Sequence, residues 1–109
     1  MKVRLDAREA PALQAWLSTG GAELGDVLRD PADRAEALAA VVLMVLRDGE
    51  AVLAPDDDFV LAPDDELLLL GRAGARRALD TTMVVDGAAE YVRSGRRVAT
   101  GWLWRAFQR

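Results

Sequence analysis

Two uninterrupted apolar runs, each bounded by turn-forming residues, constrain the fold of this chain more than any other feature. Val41–Leu46 is rich in β-branched residues and precedes Asp48-Gly49, a dipeptide typical of tight β-hairpins. Leu67–Leu70 lies between a Pro-Asp-Asp turn and Gly71. Because neither run alternates with polar residues, both are predicted to be strands buried on both faces. Few helices are available to cover them, so a homodimer is predicted.

The remaining apolar residues predict short helices and strands around this pair. Val3 and Leu5 alternate with charged residues as in a half-buried strand, and Ala10–Leu17 has apolar residues at helical spacing. Asp30-Pro31 is typical of a helix start. Further along, the sequence predicts an apolar turn at Leu24–Leu28, the returning hairpin strand at Ala51–Leu53 and a brief apolar segment at Phe59–Leu61. It also predicts a helix at Ala73–Leu79, an extra strand at Met83–Val85 and a last helical turn at Ala88–Val92. The predicted class is α+β, a small mixed sheet with a central hairpin covered by short helices.

Length and composition restrict the kind of protein. The chain has 109 residues, of which 51% are hydrophobic and 29% charged, a balance typical of one globular domain. Its longest apolar run, Ala37–Leu46, is about half as long as a membrane-spanning helix needs to be. No apolar leader follows Met1, and no cysteine is present. We therefore expect a cytoplasmic chain that does not itself cross a membrane.

The charges are unevenly distributed along the chain. Residues 1–92 hold nine Lys or Arg and all eighteen Asp or Glu, a net charge of −9, whereas residues 93–109 hold five arginines and no acid. The acidic body predicts no binding to nucleic acid. The tail also carries Trp102, Trp104 and Phe107. Packing of this tail onto the domain or a second copy is favoured over contact with anionic lipid.

The residues available for chemistry are few. With no His and no Cys, imidazole and thiolate catalysis and the usual zinc sites are excluded. Gly71-Arg72-Ala73-Gly74 lacks the spacing of a dinucleotide-binding loop. We therefore expect no enzyme and no cofactor held within this chain. A carboxylate-dependent hydrolase is the remote remaining option.

An acidic constellation between the hairpin and the leucine run is the candidate metal site. Oxygen-rich loops suit hard cations such as Ca²⁺, although the spacing does not follow the EF-hand pattern. The candidate ligands are Asp56, Asp57, Asp58, Asp64 and Asp65, with Glu66 next to them. The favoured alternative is that these acids cap backbone groups in two turns.

The order of these motifs from Val41 to Gly71 resembles the C-terminal lobe of RCK domains (regulators of potassium conductance), also called the TrkA-C domain. Arg47–Glu50 reads Arg-Asp-Gly-Glu, as in the family's hairpin, and a proline and acidic residues follow. Asp65 and Leu67 match the turn that precedes the family's final strand. Asp64 stands where the family usually has glycine, which leaves the local backbone open.

The resemblance implies both an architecture and a function. It makes residues 1–71 an RCK C-terminal-like domain and residues 72–109 a helical extension with a basic aromatic tail. Such lobes pair as dimers after a Rossmann-type nucleotide-binding lobe, which is attached to a potassium pore in the membrane. The implied role is to sense a divalent cation or small anionic ligand for a potassium channel or potassium uptake system. A free-standing adaptor domain of the same fold is the alternative.

Overall fold

The computed structural model describes residues 1–95, which form strands and helices in mixed order. Along the chain they are β1 (Lys2–Arg4), α1 (Pro11–Leu17), β2 (Ala22–Glu23), α2 (Leu24–Val27), β3 (Arg29–Asp30), β4 (Asp33–Ala37), β5 (Ala40–Arg47), β6 (Glu50–Leu53), β7 (Val60–Leu61), β8 (Glu66–Gly71), α3 (Ala75–Val84) and α4 (Asp86–Ser94). The predicted α+β class is confirmed.

The main sheet has four strands in the order β1-β8-β5-β6, and β2–β7 and β3–β4 form two small separate pairs. Every pair in the main sheet is antiparallel, so the prediction of a mixed sheet is wrong. The hairpin predicted at Asp48-Gly49 is confirmed, and both residues have positive φ, 52° and 80°. The prediction that this hairpin is central is wrong, because its second strand, β6, is the last strand of the sheet.

A register shift between Val42 and Met44 determines which side chains of β5 face the core. Residues on one face of a strand normally recur every second position. The extra residue of a bulge lets Val42 and Val45, three positions apart, both point inward. Val42 pairs with Leu69 and Val45 with Leu67, and all four side chains are buried.

The core lies between this inner side of the sheet and the helices. Leu13 and Leu17 of α1 and Leu79 and Met83 of α3 are buried in one cluster with the inward-facing residues of β5 and β8. Each fully buried side chain of this size contributes about 1.5–3 kcal/mol through removal of apolar surface from water. Residues 72–95 therefore share a core with the first part of the chain, and the domain boundary at residue 71 stays a prediction.

The helix predicted to begin at Asp30-Pro31 is wrong, because this dipeptide forms the turn between β3 and β4. Asp30 Oδ1 accepts a hydrogen bond from the Ala32 amide at 2.8 Å, and Asp30 pairs with Asp33 across the turn. An aspartate followed by proline suits the start of a β-turn as well as a helix cap. The local pattern therefore could not distinguish the two structures.

The extra strand predicted at Met83–Val85 is also wrong. Met83 and Val84 end α3, and Met83 is buried in the helix layer. Val85 alone has an extended backbone, with φ −96° and ψ 116°, and it connects α3 to α4. Burial of Met83 against the core outweighs the strand preference of two adjacent valines.

Two predictions concern membranes: that the chain does not cross one, and that its tail packs on protein and not on lipid. Within residues 1–95, no helix combines the length and the apolar character needed to cross a bilayer. The basic aromatic tail, with Trp102, Trp104 and Phe107, lies outside the described residues. Its contact with the domain, a second copy or lipid stays a prediction.

Candidate functional site

An ion pair with a buried carboxylate and a partly exposed guanidinium connects the hairpin to the turn before β8. The Asp65 side chain is only 1% exposed. Arg47 donates from Nε to Asp65 Oδ1 and from Nη2 to Oδ2, each at 2.8 Å. The Ala62 amide donates to the same Oδ2 at 2.9 Å. This two-pronged contact is the strongest geometry between arginine and a carboxylate, and it uses both oxygens of Asp65.

Arg47 also holds the segment that contains β7. Its Nη2 donates to the Val60 carbonyl at 2.9 Å, and its guanidinium carbon lies 5.1 Å from the centre of the Phe59 ring. The hydrogen bond to Asp65 raises the pKa of Arg47 above its ordinary value, so the guanidinium stays charged. One side chain thereby joins the end of β5, strand β7 and the turn before β8.

No local sequence pattern predicts this ion pair. Arg47 and Asp65 are 18 positions apart, and no local periodicity connects residues at that distance. The available signal was that both residues belong to the motifs on which the family resemblance rests. In the structure the two motifs meet through these two side chains.

The predicted metal ligands are held by two different parts of the fold. The Asp57 carbonyl accepts the Gly25 amide at 2.8 Å, and the Asp56 carbonyl accepts the Phe59 amide at 3.0 Å. Asp56, Asp57 and Asp58 therefore belong to a turn held against α2. Asp64 instead donates its amide to the Leu5 carbonyl at 2.9 Å, next to β1, and adopts a φ of 71°.

The arrangement of the acids favours their role in turns. Among residues 1–95, no group of three or more carboxylates is placed to hold a metal ion. Asp65 is already bound by Arg47, so a cation at Asp65 would have to displace the guanidinium. Metal binding by Asp56, Asp57, Asp58 and Asp64 stays a prediction.

The second feature of the site is an apolar surface on the side of the main sheet that faces away from the helices. We call it the outer sheet face, and it comprises Val41, Leu43, Met44, Leu53, Leu68 and Leu70. Val41 lies opposite Leu70, and Met44 lies between Leu68 and Leu53, so these side chains share one face. Leu53, Leu70 and Val41 are 73%, 66% and 61% exposed.

Within residues 1–95, β5 and β8 are therefore buried on one face, and burial of their other face against a second copy stays a prediction. Their inner residues are buried in one cluster with the helices, whereas Val41, Leu68 and Leu70 on the other side are 61%, 38% and 66% exposed. An apolar run indicates that both faces favour a dry environment, without indicating which molecule provides it. The outer sheet face is an exposed patch of the kind that marks an interaction surface.

In the described part of the chain, charged side chains border the outer sheet face beside β1, where Lys2 and Arg4 lie opposite Leu68 and Glu66. Glu66 forms ion pairs with Lys2 at 3.2 Å and with Arg4 at 3.4 Å. Exposed pairs of this kind contribute little to stability, about 0–1 kcal/mol each. Arg4 also pairs with Asp6 at 3.4 Å, so two cations and two acids balance along this margin, and the apolar side chains of the face carry no charge.

A shallow groove lies between α1 and α4. It encloses about 490 Å³ and is lined by Trp16, Asp86, Glu90 and Arg93, among others. Glu90 and Arg93 form an ion pair at 2.7 Å across one turn of α4. The charges of the groove are thus largely satisfied within one helix.

No family model matches the chain, and no curated protein matches it. The functional interpretation therefore depends on the Arg47–Asp65 ion pair and the outer sheet face.

Proposed function

We propose that this chain is a regulatory, ligand-sensing and dimerising cytoplasmic lobe of a potassium channel or potassium uptake system. Its partners would be a second copy, a Rossmann-type nucleotide-binding lobe and the parent pore. The observation that carries the proposal is the Arg47–Asp65 ion pair, which joins the two motifs that resemble the RCK C-terminal lobe. Both residues thereby acquire a physical reason to occur together in that pattern.

The connections of Arg47 support a sensing role for the loop between β6 and β8. The loop carries Asp56, Asp57, Asp58 and Asp64, and its middle is held by Arg47 at Phe59 and Val60. Strand β5, which ends at Arg47, also contributes to the outer sheet face. A ligand that moved the loop would pull on the end of this strand. Arg47 and strand β5 therefore connect the ligand-binding loop directly to the outer sheet face.

A thermal-shift titration tests the sensing role. If Ca²⁺ or Mg²⁺ binds the native loop with a Kd near ~10 μM, cation at a hundredfold excess stabilises the fold by about 2.7 kcal/mol. For a domain of this size the melting temperature then rises on the order of 10 °C. Nucleotides and small anions belong in the same screen. A melting temperature that no ligand changes would contradict ligand sensing.

Two variants locate the cation response. Asp56→Asn/Asp58→Asn should abolish the shift, because carboxylates are the ligands that hard cations prefer. Glu36→Gln is the matched control, since Glu36 is an exposed acid on β4, which belongs to a separate two-stranded sheet. A shift that survives in the first variant would exclude the loop as the cation site.

The outer sheet face also suits the alternative, a free-standing adaptor that is not coupled to ion transport. An exposed apolar face favours a binding partner but does not specify which kind. Deletion of residues 1–95 from the parent protein separates the two functions. Altered potassium transport would support the regulatory lobe, whereas unchanged transport with loss of a bound protein would support the adaptor.

A further inference from the structure

We infer that the outer sheet face is the surface on which a second copy of this chain docks. The inference rests on the proposed dimerising function and specifies its interface. The residues that carry it are the exposed apolar side chains of β5, β6 and β8, in particular Val41, Leu43, Leu53 and Leu70.

The dimensions of the face are sufficient for a reversible dimer. The strands β1, β8, β5 and β6 have three, six, eight and four residues, so at about 3.3 Å per residue and about 4.8 Å between strands the face has a footprint of roughly 330 Å². A standard interface buries about 800 Å² of accessible surface on each partner, and weak complexes bury less. When the side chains at the margin are included, the accessible surface that this face can bury reaches the lower end of the range for specific interfaces. The dimer should therefore dissociate in the micromolar range.

The distribution of charge favours a second copy over other occupants. Two copies related by a two-fold axis place apolar centre on apolar centre, and no unpaired charge is buried. If residues 96–109 covered the face instead of a second copy, their four arginines would need acidic acceptors beside it. Glu66 is the nearby acid, and it already pairs with Lys2 and Arg4.

Sedimentation velocity of the full 109-residue chain across the micromolar range tests the interface. The wild type should form a dimer as concentration rises. Leu53→Lys/Leu70→Lys should weaken the dimer roughly 100-fold or more, because the two-fold axis counts each lost apolar contact twice. The matched control is Val84→Lys/Val85→Lys, since these valines are 53% and 50% exposed but lie at the end of α3. The control should dimerise like the wild type.

Melting curves show whether each variant is folded. Since Leu53 and Leu70 are 73% and 66% exposed, their replacement by lysine should leave the melting temperature of the monomer nearly unchanged. Leu68→Cys gives an independent measurement, because the chain has no cysteine and Leu68 lies on β8, in the middle of the sheet. Oxidation should cross-link this variant into disulfide dimers, and Val84→Cys should remain monomeric.

The outcomes distinguish this inference from the function on which it rests. A wild type that dimerises while the double lysine variant dimerises equally well would overturn the outer sheet face and leave dimerisation intact. A wild type that stays monomeric throughout would overturn both. The ligand titration is independent of either result, since it reads binding by the single chain.

Discussion

Loss of the Arg47–Asp65 ion pair should destabilise the fold by an amount that depends on which partner is replaced. Arg47→Met keeps the length of the side chain but leaves the Asp65 carboxylate buried, with the Ala62 amide as its remaining described donor. Asp65→Asn removes the charge, keeps an acceptor for that amide and leaves Arg47 in contact with water. The arginine side chain is 40% exposed, whereas the aspartate is 1% exposed.

The magnitudes follow from this difference in exposure. Removal of one partner from a buried pair costs about 3–5 kcal/mol, and partial exposure of Arg47 places Arg47→Met near ~3 kcal/mol. Loss of charge-assisted hydrogen bonds in Asp65→Asn should cost about 1.5–2 kcal/mol. The double variant, with a neutral pair, should be about 1 kcal/mol more stable than Arg47→Met alone, because no unpaired charge is buried.

Urea unfolding followed by circular dichroism measures all four proteins of this cycle. At about 4–8 °C per kcal/mol, Arg47→Met should also melt roughly 12–24 °C below the wild type. Equal destabilisation by Arg47→Met and Asp65→Asn would refute the reasoning, because it would show that burial of the unpaired carboxylate carries no cost. A double variant as unstable as the sum of the singles would refute the direct interaction.

Three further predictions concern the core, the helix layer and the first turn. Leu69→Asp should abolish cooperative folding, since Leu69 is 1% exposed, whereas Leu43→Asp should still melt cooperatively, since Leu43 is 44% exposed. Thr82→Val should raise the free energy of unfolding by about 1 kcal/mol, because the buried hydroxyl of Thr82 lacks a partner among the described residues. The amide of Glu9, bonded to Asp6 Oδ1 at 2.9 Å, lowers the pKa of Asp6 below its ordinary 3.8. The stability that Asp6 contributes is therefore present above pH 3.8 and is lost as the pH falls below that value, so Asp6→Asn should flatten the dependence of melting temperature on pH in that range.

Elements encoded by adjacent residues were predicted correctly from the sequence. The helix over Ala10–Leu17, the strand around Val3 and the hairpin at Asp48-Gly49 depend on spacing or turn chemistry within a few positions. The prediction at Asp30-Pro31 also used adjacent residues and was wrong, because this dipeptide suits both a helix start and a β-turn. There only the tertiary surroundings decide.

Features that depend on distant residues could not be predicted. Arg34 shows this on the hairpin β3–β4: its amide donates to the Tyr91 hydroxyl at 2.9 Å and its Nε to the Val92 carbonyl at 3.1 Å. These contacts anchor the hairpin to α4, and no pattern near Arg34 indicates them. The ion pair between Arg47 and Asp65 belongs to the same class. The sequence thus indicated Arg47 and Asp65 as motif residues, but it did not predict the contact between them.

The ion pair also solves a problem that the apolar strands create. A one-residue slip between β5 and β8 would exchange the inner leucines, Leu67 and Leu69, with the outer ones, Leu68 and Leu70. Because all four are leucines, burial of apolar surface distinguishes the two registers only weakly. Leu46 pairs with Glu66 in the observed register, which brings the next residues, Arg47 and Asp65, together.

The ion pair between Arg47 and Asp65 therefore favours one register of β5 and β8, which the leucines alone do not distinguish. In a slipped sheet, the buried carboxylate of Asp65 would lose its guanidinium, at the cost already given for Arg47→Met. That variant should consequently populate a second register, visible as two sets of amide signals for β8 in ¹H–¹⁵N spectra. A single set, with chemical shifts close to those of the wild type, would show that the bulge at Val42 and the two turns determine the register without the ion pair.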